Sequence, residues 1–357
     1  MWPFTGGIPA VWLALYILTF ALHAVFVSSV LAGTGYAFVQ AMRGRADPLA
    51  DRIRDRLPFL LGCGITAGVA PLLFLQLLYQ RRFYTANLVL GPRWGAVVPA
   101  LIAGFYALYL AKAAVRLRWR RIALGTGVAC FMFVAWSWTE IHLLMEDEPA
   151  WREMYAVGAR LYASAGVPPR LLLWLGTMAT LFAALAVWWA SGTERRRLAA
   201  IALAGRLVTG IAAAWLVARG ASVEAAAHGW LYLLLAAIAV ETAAWIWTWR
   251  APDGPGVPLV AGAAAAALLA GAVVREAPRL ALLDPPRPGA IDAGGIAVFF
   301  ATLVLGALAI AWVARTVRAG ITDADDAAAA TAPAAATAAP PPPAVSHSPP
   351  ADAPPTE

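Results

Sequence analysis

His23 is the residue whose type and position most clearly allow chemistry, because it lies in the middle of a long uncharged stretch near the start of the chain. At helical spacing, the same face of this stretch carries Tyr16, Thr19, Phe26, Val30 and Gly33. A neutral imidazole can coordinate iron, and small side chains a few turns away leave room for a macrocycle. His23 is therefore a candidate metal ligand, specifically an axial ligand of a b-type haem. The residue taken alone also allows a histidine that is hydrogen-bonded to a neighbouring helix.

His228 lies at the outer end of a later apolar stretch and belongs to a polar stripe. Glu224, His228 and Tyr232 follow one another at intervals of four residues, so they share one helix face. A carboxylate one turn from a histidine can orient the imidazole ring, which suits a metal site or a proton-transfer site. The other interpretation is an interfacial capping pair that faces lipid headgroups.

His142 lies near the end of a third apolar stretch. It shares a helix face with Trp138, whereas Glu140 is two residues away, points to the opposite face and cannot act on the same ligand. His142 and His228 lie at similar depth, so they can meet where their helices are neighbours. We therefore predict His23, His142 and His228 as cofactor-binding residues. His23 lies deeper than the other two, so we do not combine the three in one metal site.

Arg206 and Glu241 are charged residues inside apolar stretches. Each lies about eight residues from the inner end of its stretch, which places both at ~12 Å depth at roughly 1.5 Å per residue. An unpaired charge at that depth costs several kcal/mol, and pairing is the natural remedy. We therefore predict a buried Arg206–Glu241 ion pair, which is either structural or part of a proton or ion path.

An arginine-rich and aromatic segment, RRFYTANLVLGPRWG, connects two of the apolar stretches. It contains Arg81, Arg82, Tyr84 and Arg93, and we predict it to be an outer loop. Guanidinium groups make bidentate contacts to anionic groups, so this loop can hold an anionic headgroup or the propionates of a haem. Generic contact with lipid is the alternative.

The elements that position these residues follow from the composition. Apolar residues make up 61% of the chain and charged residues 13%, with a mean hydropathy of +0.70. Soluble domains have roughly 45–50% apolar and about 25% charged residues, so this chain needs lipid as its solvent. Apolar stretches of about 20 residues satisfy their backbone groups as helices. We therefore predict an all-α, polytopic integral membrane protein.

The apolar stretches predict nine membrane-spanning helices in a transmembrane domain, residues 1–319. The predicted spans are Ile8–Ala41, Leu57–Tyr79, Trp94–Ala113, Ile122–Met145, Leu171–Ala190, Leu198–Val217, Val223–Trp249, Val257–Val274 and Gly295–Val313. Residues 320–357 are rich in Ala and Pro and have almost nothing to bury, so we predict a disordered tail.

The distribution of basic residues predicts the orientation. Arginines are more numerous in the odd-numbered connections between spans than in the even-numbered ones, where acidic residues such as Glu146 and Glu148 share the longest loop. The positive-inside rule then puts the N-terminus outside and the tail in the cytoplasm. We expect a multi-pass protein of the bacterial inner membrane type, whose main partner is the lipid bilayer. The net charge of +7 follows from these loops, so we predict no nucleic-acid partner.

The first two stretches resemble a known family. His23 is followed by Ala-Val-Phe-Val and small residues, which looks like the first helix of subunit I of cytochrome bd-type quinol oxidases. The run LGCGITAGVAPLLFLQLLY resembles that subunit's second helix, and nine spans with the N-terminus outside are a similar layout. The resemblance implies that His23 binds haem, because such a histidine is a haem ligand in that family.

The remaining chain departs from that family in three places. The fifth predicted span contains no histidine, where the family has its second haem ligand. The family's acidic residues near the third helix are absent, and only residues 219–222 connect the sixth and seventh spans, where the family has a long quinol-binding loop. Only His23 is therefore carried over from the resemblance.

The sequence thus favours a membrane subunit of a respiratory or electron-transfer complex, with haem b as its cofactor and other membrane or cytochrome subunits as partners. A proton-coupled transporter that uses Arg206 and Glu241 is one alternative, and a non-catalytic scaffold subunit is another. No phosphate-binding loop, nucleotide-binding glycine motif, Ser/His/Asp constellation or covalent haem motif occurs, which excludes soluble-enzyme chemistry.

Overall fold

The computed structural model describes residues 8–44, 46–162, 164–221 and 227–283, and a few single residues between 301 and 316. The chain divides into two compact units, residues 1–286 and 287–357, and the sites below all lie in the first. Its α-helices are α1 (Ile8–Arg43), α2 (Pro48–Leu78), α3 (Gln80–Val89), α4 (Gly91–Gly95), α5 (Val97–Ala113), α6 (Leu117–Glu146), α7 (Glu148–Val157), α8 (Val167–Ala186), α9 (Gly192–Ala218), α10 (His228–Arg250) and α11 (Gly256–Glu276).

Eight helical segments in the described part of the chain are long and apolar enough to cross a membrane. They are α1, α2, α4 with α5, α6, α8, α9, α10 and α11. The prediction of an all-helical, multi-pass membrane protein is therefore confirmed. The ninth predicted span, 295–313, falls almost wholly outside the described residues, and so does the predicted tail, 320–357.

Helix α2 begins nine residues before the predicted span, and Asp47 provides the reason. The Asp47 side chain accepts hydrogen bonds from the backbone N–H groups of Leu49 and Ala50, and Pro48 occupies the first helical turn. Such a cap stabilises a helix start regardless of hydropathy. The charged residues that follow, which lie before the predicted span, therefore form the first two turns of α2.

The segment after α2 also differs from the prediction. Residues that we expected to form an irregular outer loop form the short helices α3 and α4 instead. Phe83 and Ala86 on α3 are buried, so this segment packs onto the bundle rather than extending into solvent. The long loop between the fourth and fifth spans likewise contains a helix, α7, which is capped by Asp147.

Consecutive spans pack as antiparallel hairpins, and α1 lies near the centre. Helix α1 packs against α2, α6, α8 and α11, while α5–α6, α8–α9 and α10–α11 form the other close pairs. We call the end of the bundle where α1 begins and α2 ends the first end, and the opposite end the second end. Helices α9 and α10 lie at the edge, where large apolar side chains such as Leu207 and Tyr232 are exposed to the surroundings.

Helices α8 and α9 approach each other through small residues. A Cβ atom on Gly176 would lie 2.6 Å from the backbone oxygen of Gly205, and one on Gly205 would lie 2.7 Å from the oxygen of Gly176. Only glycine permits this backbone contact, as is common where helices associate in lipid.

At the second end, charged side chains connect the starts and ends of the helices. Asp47 accepts hydrogen bonds from Tyr36 and Gln40 and forms an ion pair with Arg197 at the start of α9. Arg52 of α2 forms an ion pair with Glu194, also on α9, at 2.6 Å. These contacts fix the depth of α9 relative to α1 and α2.

Candidate functional site

His23 lies half-buried where α1 crosses α2. Its Nδ1 atom is 2.9 Å from the backbone oxygen of Gly64. Because a carbonyl oxygen only accepts hydrogen bonds, Nδ1 must carry the proton and Nε2 the lone pair. Among the described contacts, Nε2 makes no hydrogen bond. The ring orientation thus meets one requirement for a metal ligand, and it also couples the two helices.

Gly68 on α2 provides the space that the His23 ring occupies. A Cβ atom at Gly68 would lie 2.8 Å from Cε1 and 3.0 Å from Nδ1 of His23, closer than side chains pack. A Cβ atom at Gly62, on the same helix, meets nothing within 4 Å.

Replacing Gly68 by alanine should therefore displace His23 and lower the free energy of unfolding by about 1–3 kcal/mol, the usual cost of overpacking. Gly62→Ala is the matched control. We expect its free energy of unfolding to equal or slightly exceed that of the wild type, because alanine favours a helix. Denaturation of both variants in mixed micelles measures the difference. Equal stability of Gly68→Ala and Gly62→Ala would show that the ring does not pack against α2.

His142 is buried at the first end of α6. Its Nδ1 is 3.0 Å from the backbone oxygen of Trp138, one turn earlier, and its ring lies 5.1 Å from the Trp138 ring. The Nε2 atom is buried and has no hydrogen-bond partner among the described residues. The Arg170, Arg275 and Arg279 guanidinium groups are close enough to interact electrostatically with it.

His228 is exposed at the start of α10, and Tyr232 one turn later is also exposed. Glu224, the carboxylate that we expected to orient its ring, lies outside the described residues. Helix α10 packs mainly against α9 and α11, whereas α6 packs mainly against α5, α1 and α8. His142 and His228 thus lie on helices that are not close packing partners. Within the described residues, no group of three His, Cys, Asp or Glu side chains has the arrangement of a metal site.

Arg206 of α9 and Glu241 of α10 form an ion pair between a terminal guanidinium nitrogen and Oε2. The Glu241 side chain is fully buried, and its Oε1 accepts a hydrogen bond of 3.3 Å from Trp245 Nε1. The Nε atom of Arg206 is buried and makes no hydrogen bond to a described residue. The pair joins α9 and α10, which pack against each other at the edge of the bundle.

A second buried ionic group was not predicted from the sequence, in which all its members except Tyr79 lie just outside the predicted spans. Glu276, the last residue of α11, is 1% exposed. Its Oε1 accepts a hydrogen bond of 3.1 Å from Arg279 Nη1, and its Oε2 accepts one of 3.1 Å from the Tyr79 hydroxyl. Arg279 is also 3.1 Å from Glu146 Oε1 on α6. Arg170 of α8 donates two hydrogen bonds of 3.0 Å to the other oxygen of Glu146.

We call Tyr79, Glu146, Arg170, Glu276 and Arg279 the first-end cluster. It connects α2, α6, α8 and α11 through charge-assisted hydrogen bonds, which are the stronger kind. Each carboxylate is held by arginine, so the cluster is built to keep its charges in place rather than to pass protons. Two features of the sequence could have indicated this cluster. The run Arg-Glu-Ala-Pro-Arg directly follows an apolar span, and Glu146 follows the fourth span at the same end of the bundle.

Arg275 adds a third guanidinium group beside this cluster. Its Cζ atom lies 4.5 Å from the centre of the Phe20 ring and 5.4 Å from that of Trp174, so two aromatic faces balance its charge. Neither terminal nitrogen makes a well-aligned hydrogen bond within the described part of the chain, although Glu276 Oε1 lies 3.5 Å from Nη1.

The first end also contains a cavity of about 560 Å³, which we call the Glu140 cavity. Its wall is formed by α6, by Arg93 of α4 and by the segment that precedes α8. The lining residues are Arg93, Met132, Phe133, Trp136, Glu140, Leu161, Tyr162, Ser164, Val167 and Pro168. A mainly apolar cavity with a few converging polar groups is the usual form of a small-molecule site.

The polar groups of the cavity come from two elements. Glu140 is 4% exposed, and its Oε2 lies 2.9 Å from Arg93 Nε. The Arg93 Nε also lies 3.2 Å from the hydroxyl of Ser137. The Arg93 guanidinium group packs over the rings of Phe133 and Trp136, at 5.7 and 5.9 Å. Arg93, which the sequence assigned to a loop, is therefore part of the bundle.

Tyr162 closes the outer side of the cavity. Its hydroxyl donates a hydrogen bond of 2.7 Å to Asp147 Oδ2. Burial, together with this carboxylate, raises the pKa of Tyr162 to about 12. The hydroxyl consequently stays protonated and remains a donor across the physiological pH range.

No protein-family model matches this chain, and a comparison with curated proteins found no match. The functional interpretation therefore depends on the geometry of the residues described above.

Proposed function

We propose that this chain is a membrane subunit of an electron-transfer complex that binds a b-type haem through His23. The observation that supports the proposal is the hydrogen bond from His23 Nδ1 to the backbone oxygen of Gly64. Histidines that bind metals usually donate their other ring N–H to a carbonyl or carboxylate, which fixes the tautomer and the ring direction. His23 has this arrangement, so its Nε2 lone pair is available to iron.

The surroundings of His23 are consistent with this role. The ring lies half-buried in the middle of an apolar helix, over a glycine surface formed by Gly64 and Gly68. A bound b-type haem supplies one-electron transfer, with a potential that depends on its ligands and on the surrounding dielectric. This chain supplies the oriented imidazole and a dry environment. We further propose that other membrane or cytochrome subunits provide the electron donor and acceptor.

The proposal includes the predicted topology. We place the N-terminus outside and the arginine-rich second end, with Arg52, Arg195 and Arg197, at the cytoplasmic surface of a bacterial inner membrane. The first end, with its buried ionic cluster, then faces the outer side.

His23→Ala should remove the visible absorbance of the purified protein. We expect a Soret band in the wild-type spectrum and its loss in the variant, because His23 is the one imidazole among the described residues that lies in the middle of a span, whereas His142 and His228 lie at helix ends. His347→Ala, in the C-terminal stretch, is the control and should retain the full band. The spectra are measured on the intact chain after mild detergent extraction, with haem quantified as its pyridine complex.

Two outcomes would contradict the haem proposal. A colourless wild-type protein, expressed with sufficient haem supply, would show that His23 serves only to couple α1 and α2. A Soret band of unchanged height and position in His23→Ala would assign the haem to other ligands.

Proton-coupled transport through Arg206 and Glu241 receives less support. Among the described residues, no second carboxyl or imidazole lies within hydrogen-bond distance of this pair, and a proton path needs such carriers. The pair instead has the contacts of a structural element, whose energetic role is considered in the Discussion.

A further inference from the structure

The Glu140 cavity contains a buried carboxylate oxygen with spare acceptor capacity. Glu140 Oε1 accepts a hydrogen bond from Trp136 Nε1, whereas Oε2 forms an ion pair with Arg93 Nε at 2.9 Å but receives no well-aligned hydrogen bond from a described residue. A buried carboxylate oxygen that lacks a well-aligned donor is costly, so it is usually satisfied by a ligand or a water molecule. The wall of the cavity therefore offers a specific place for an N–H or O–H group.

Arg93 offers the complementary donors. Its contacts with Ser137 and Glu140 are made through Nε. Its two terminal nitrogens donate no hydrogen bond to a described residue. These nitrogens can bind a carboxylate or phosphate group. The charges of Arg93 and Glu140 sum to zero, so a ligand that satisfies both should also be neutral overall while carrying an anionic and a donor group.

The depth of the cavity indicates where such a ligand comes from. Helix α6 has 30 residues and is therefore about 45 Å long, which exceeds a hydrocarbon core of about 30 Å by ~7 Å at each side when the helix is centred. Glu140 lies six residues before the end of α6, hence about 9 Å from it, at the boundary between headgroups and hydrocarbon. Met132 lies about 12 Å deeper along the helix.

The cavity thus runs from the headgroup boundary into the acyl-chain region. Its polar groups lie at the level of Glu140 and Arg93, and its apolar lining continues toward Phe133 and Met132. A membrane lipid has the same order of parts along the bilayer normal.

We propose that the Glu140 cavity binds a zwitterionic phospholipid of the ethanolamine class. The primary ammonium group donates to Glu140 Oε2, the phosphate accepts from the terminal nitrogens of Arg93, and one acyl chain follows the apolar wall. The choline headgroup carries the same charge but has no N–H donor, so it cannot satisfy Glu140 by a hydrogen bond. An anionic phosphatidylglycerol leaves the Glu140 charge unbalanced. This site is independent of the haem proposal, because it uses none of the same residues.

The test uses headgroup competition on the intact protein. The full chain is exchanged into micelles that contain ethanolamine, choline and glycerol phospholipids with identical acyl chains, and the bound lipids are counted by native mass spectrometry. We expect about one tightly held lipid per chain, with the ethanolamine form favoured about tenfold over choline, the ratio expected from one charge-assisted hydrogen bond. Equal occupancy of the three headgroups, or preference for the glycerol form, would overturn the proposal.

Two variants separate the headgroup from the cavity. Glu140→Gln keeps the shape and the acceptor for Trp136 but removes the charge, so the ratio of ethanolamine to choline should fall to about one. Leu161→Trp fills the cavity from a position that is 70% exposed, so it should lower total lipid occupancy without unfolding the chain. Leu88→Trp, at a position that is 77% exposed on α3, is the control and should bind lipid as the wild type does.

The same experiment detects a different occupant. An aromatic diol such as a quinol also presents a donor and an acceptor, and it would absorb in the ultraviolet after extraction. Co-purified quinol that is lost in Leu161→Trp, with no ethanolamine lipid bound, would overturn the proposal in favour of that class. Retention of the tenfold lipid preference in Glu140→Gln would equally overturn it.

Discussion

Replacing Glu241 by leucine is expected to lower the free energy of unfolding by about 3–5 kcal/mol. The Glu241 side chain is fully buried and provides the ion-pair contact of Arg206, whose own side chain is 11% exposed. Without Glu241, the guanidinium group stays buried without its ion-pair partner, and its Nε atom already has no hydrogen-bond partner among the described residues. The loss should concentrate at the contact between α9 and α10, which lie at the edge of the bundle.

The double variant Arg206→Met and Glu241→Leu shows whether the lost stability comes from the broken ion pair or from altered packing. Replacing both partners of a buried pair by apolar side chains of similar volume is often neutral or stabilising, so most of the lost stability should return. Denaturation of wild type, both single variants and the double variant in mixed micelles gives the coupling energy directly. A double variant as unstable as Glu241→Leu would contradict a structural role for the pair.

Arg279→Met is expected to destabilise the bundle by about 3 kcal/mol, at the lower limit for breaking a buried ion pair. Arg279 contacts both carboxylates of the first-end cluster, Glu276 at 3.1 and 3.3 Å and Glu146 at 3.1 Å. Its removal leaves Glu276 buried, with the Tyr79 hydroxyl as its hydrogen-bond donor and Arg275 nearby. Because these contacts remain, the free energy of unfolding should fall by less than it would for a fully unpaired buried charge.

A local measurement makes this prediction specific. Hydrogen exchange should accelerate at residues 277–282, directly after α11, because Arg279 anchors this turn to α6. Arg152→Met, at an exposed position on α7, removes the same charge and should change neither exchange nor stability. Unchanged exchange at 277–282 in Arg279→Met would show that other contacts hold the end of α11.

The two ionic groups have different structural consequences. Arg206 and Glu241 join two neighbouring helices of the bundle edge, whereas the first-end cluster joins four helices around α1. The cluster therefore fixes the helices that surround His23 and the Glu140 cavity at the first end of the bundle. We expect its loss to affect both proposed sites indirectly, which is why the His23 and Glu140 tests use variants outside it.

Some tertiary contacts followed from linear position alone. Arg206 and Glu241 lie on consecutive spans at equal distance from one end, and consecutive spans form antiparallel hairpins, so their contact could be predicted from the sequence. The helix face on which His23 lies could likewise be predicted, but its hydrogen-bond partner could not. The hydrogen bond to Gly64 depends on where α1 and α2 cross, and the spacing of residues along the chain does not determine that point.

Residues at the ends of spans were the hardest to place from the sequence. Arg93 was assigned to an outer loop because charged residues next to an apolar stretch are usually exposed to headgroups. In the structure Arg93 is half-buried against Glu140 and Ser137. Glu276 and Arg279, which follow the eighth predicted span, are buried against groups of other helices. The start of α2 at Pro48 was missed for a related reason, because a capping aspartate outweighs the charged composition of the first turns.

The sequence by itself determined that this chain spans a membrane as helices, because composition and the length of apolar stretches act locally and have no alternative solution in hydrocarbon. It also determined which charges lie too deep to remain alone. Only the tertiary structure decided which helices adjoin, and with it the partners of His23, Glu140 and Glu276. Helices in lipid associate through close packing and polar contacts between particular faces, and these depend on residues far apart in the chain.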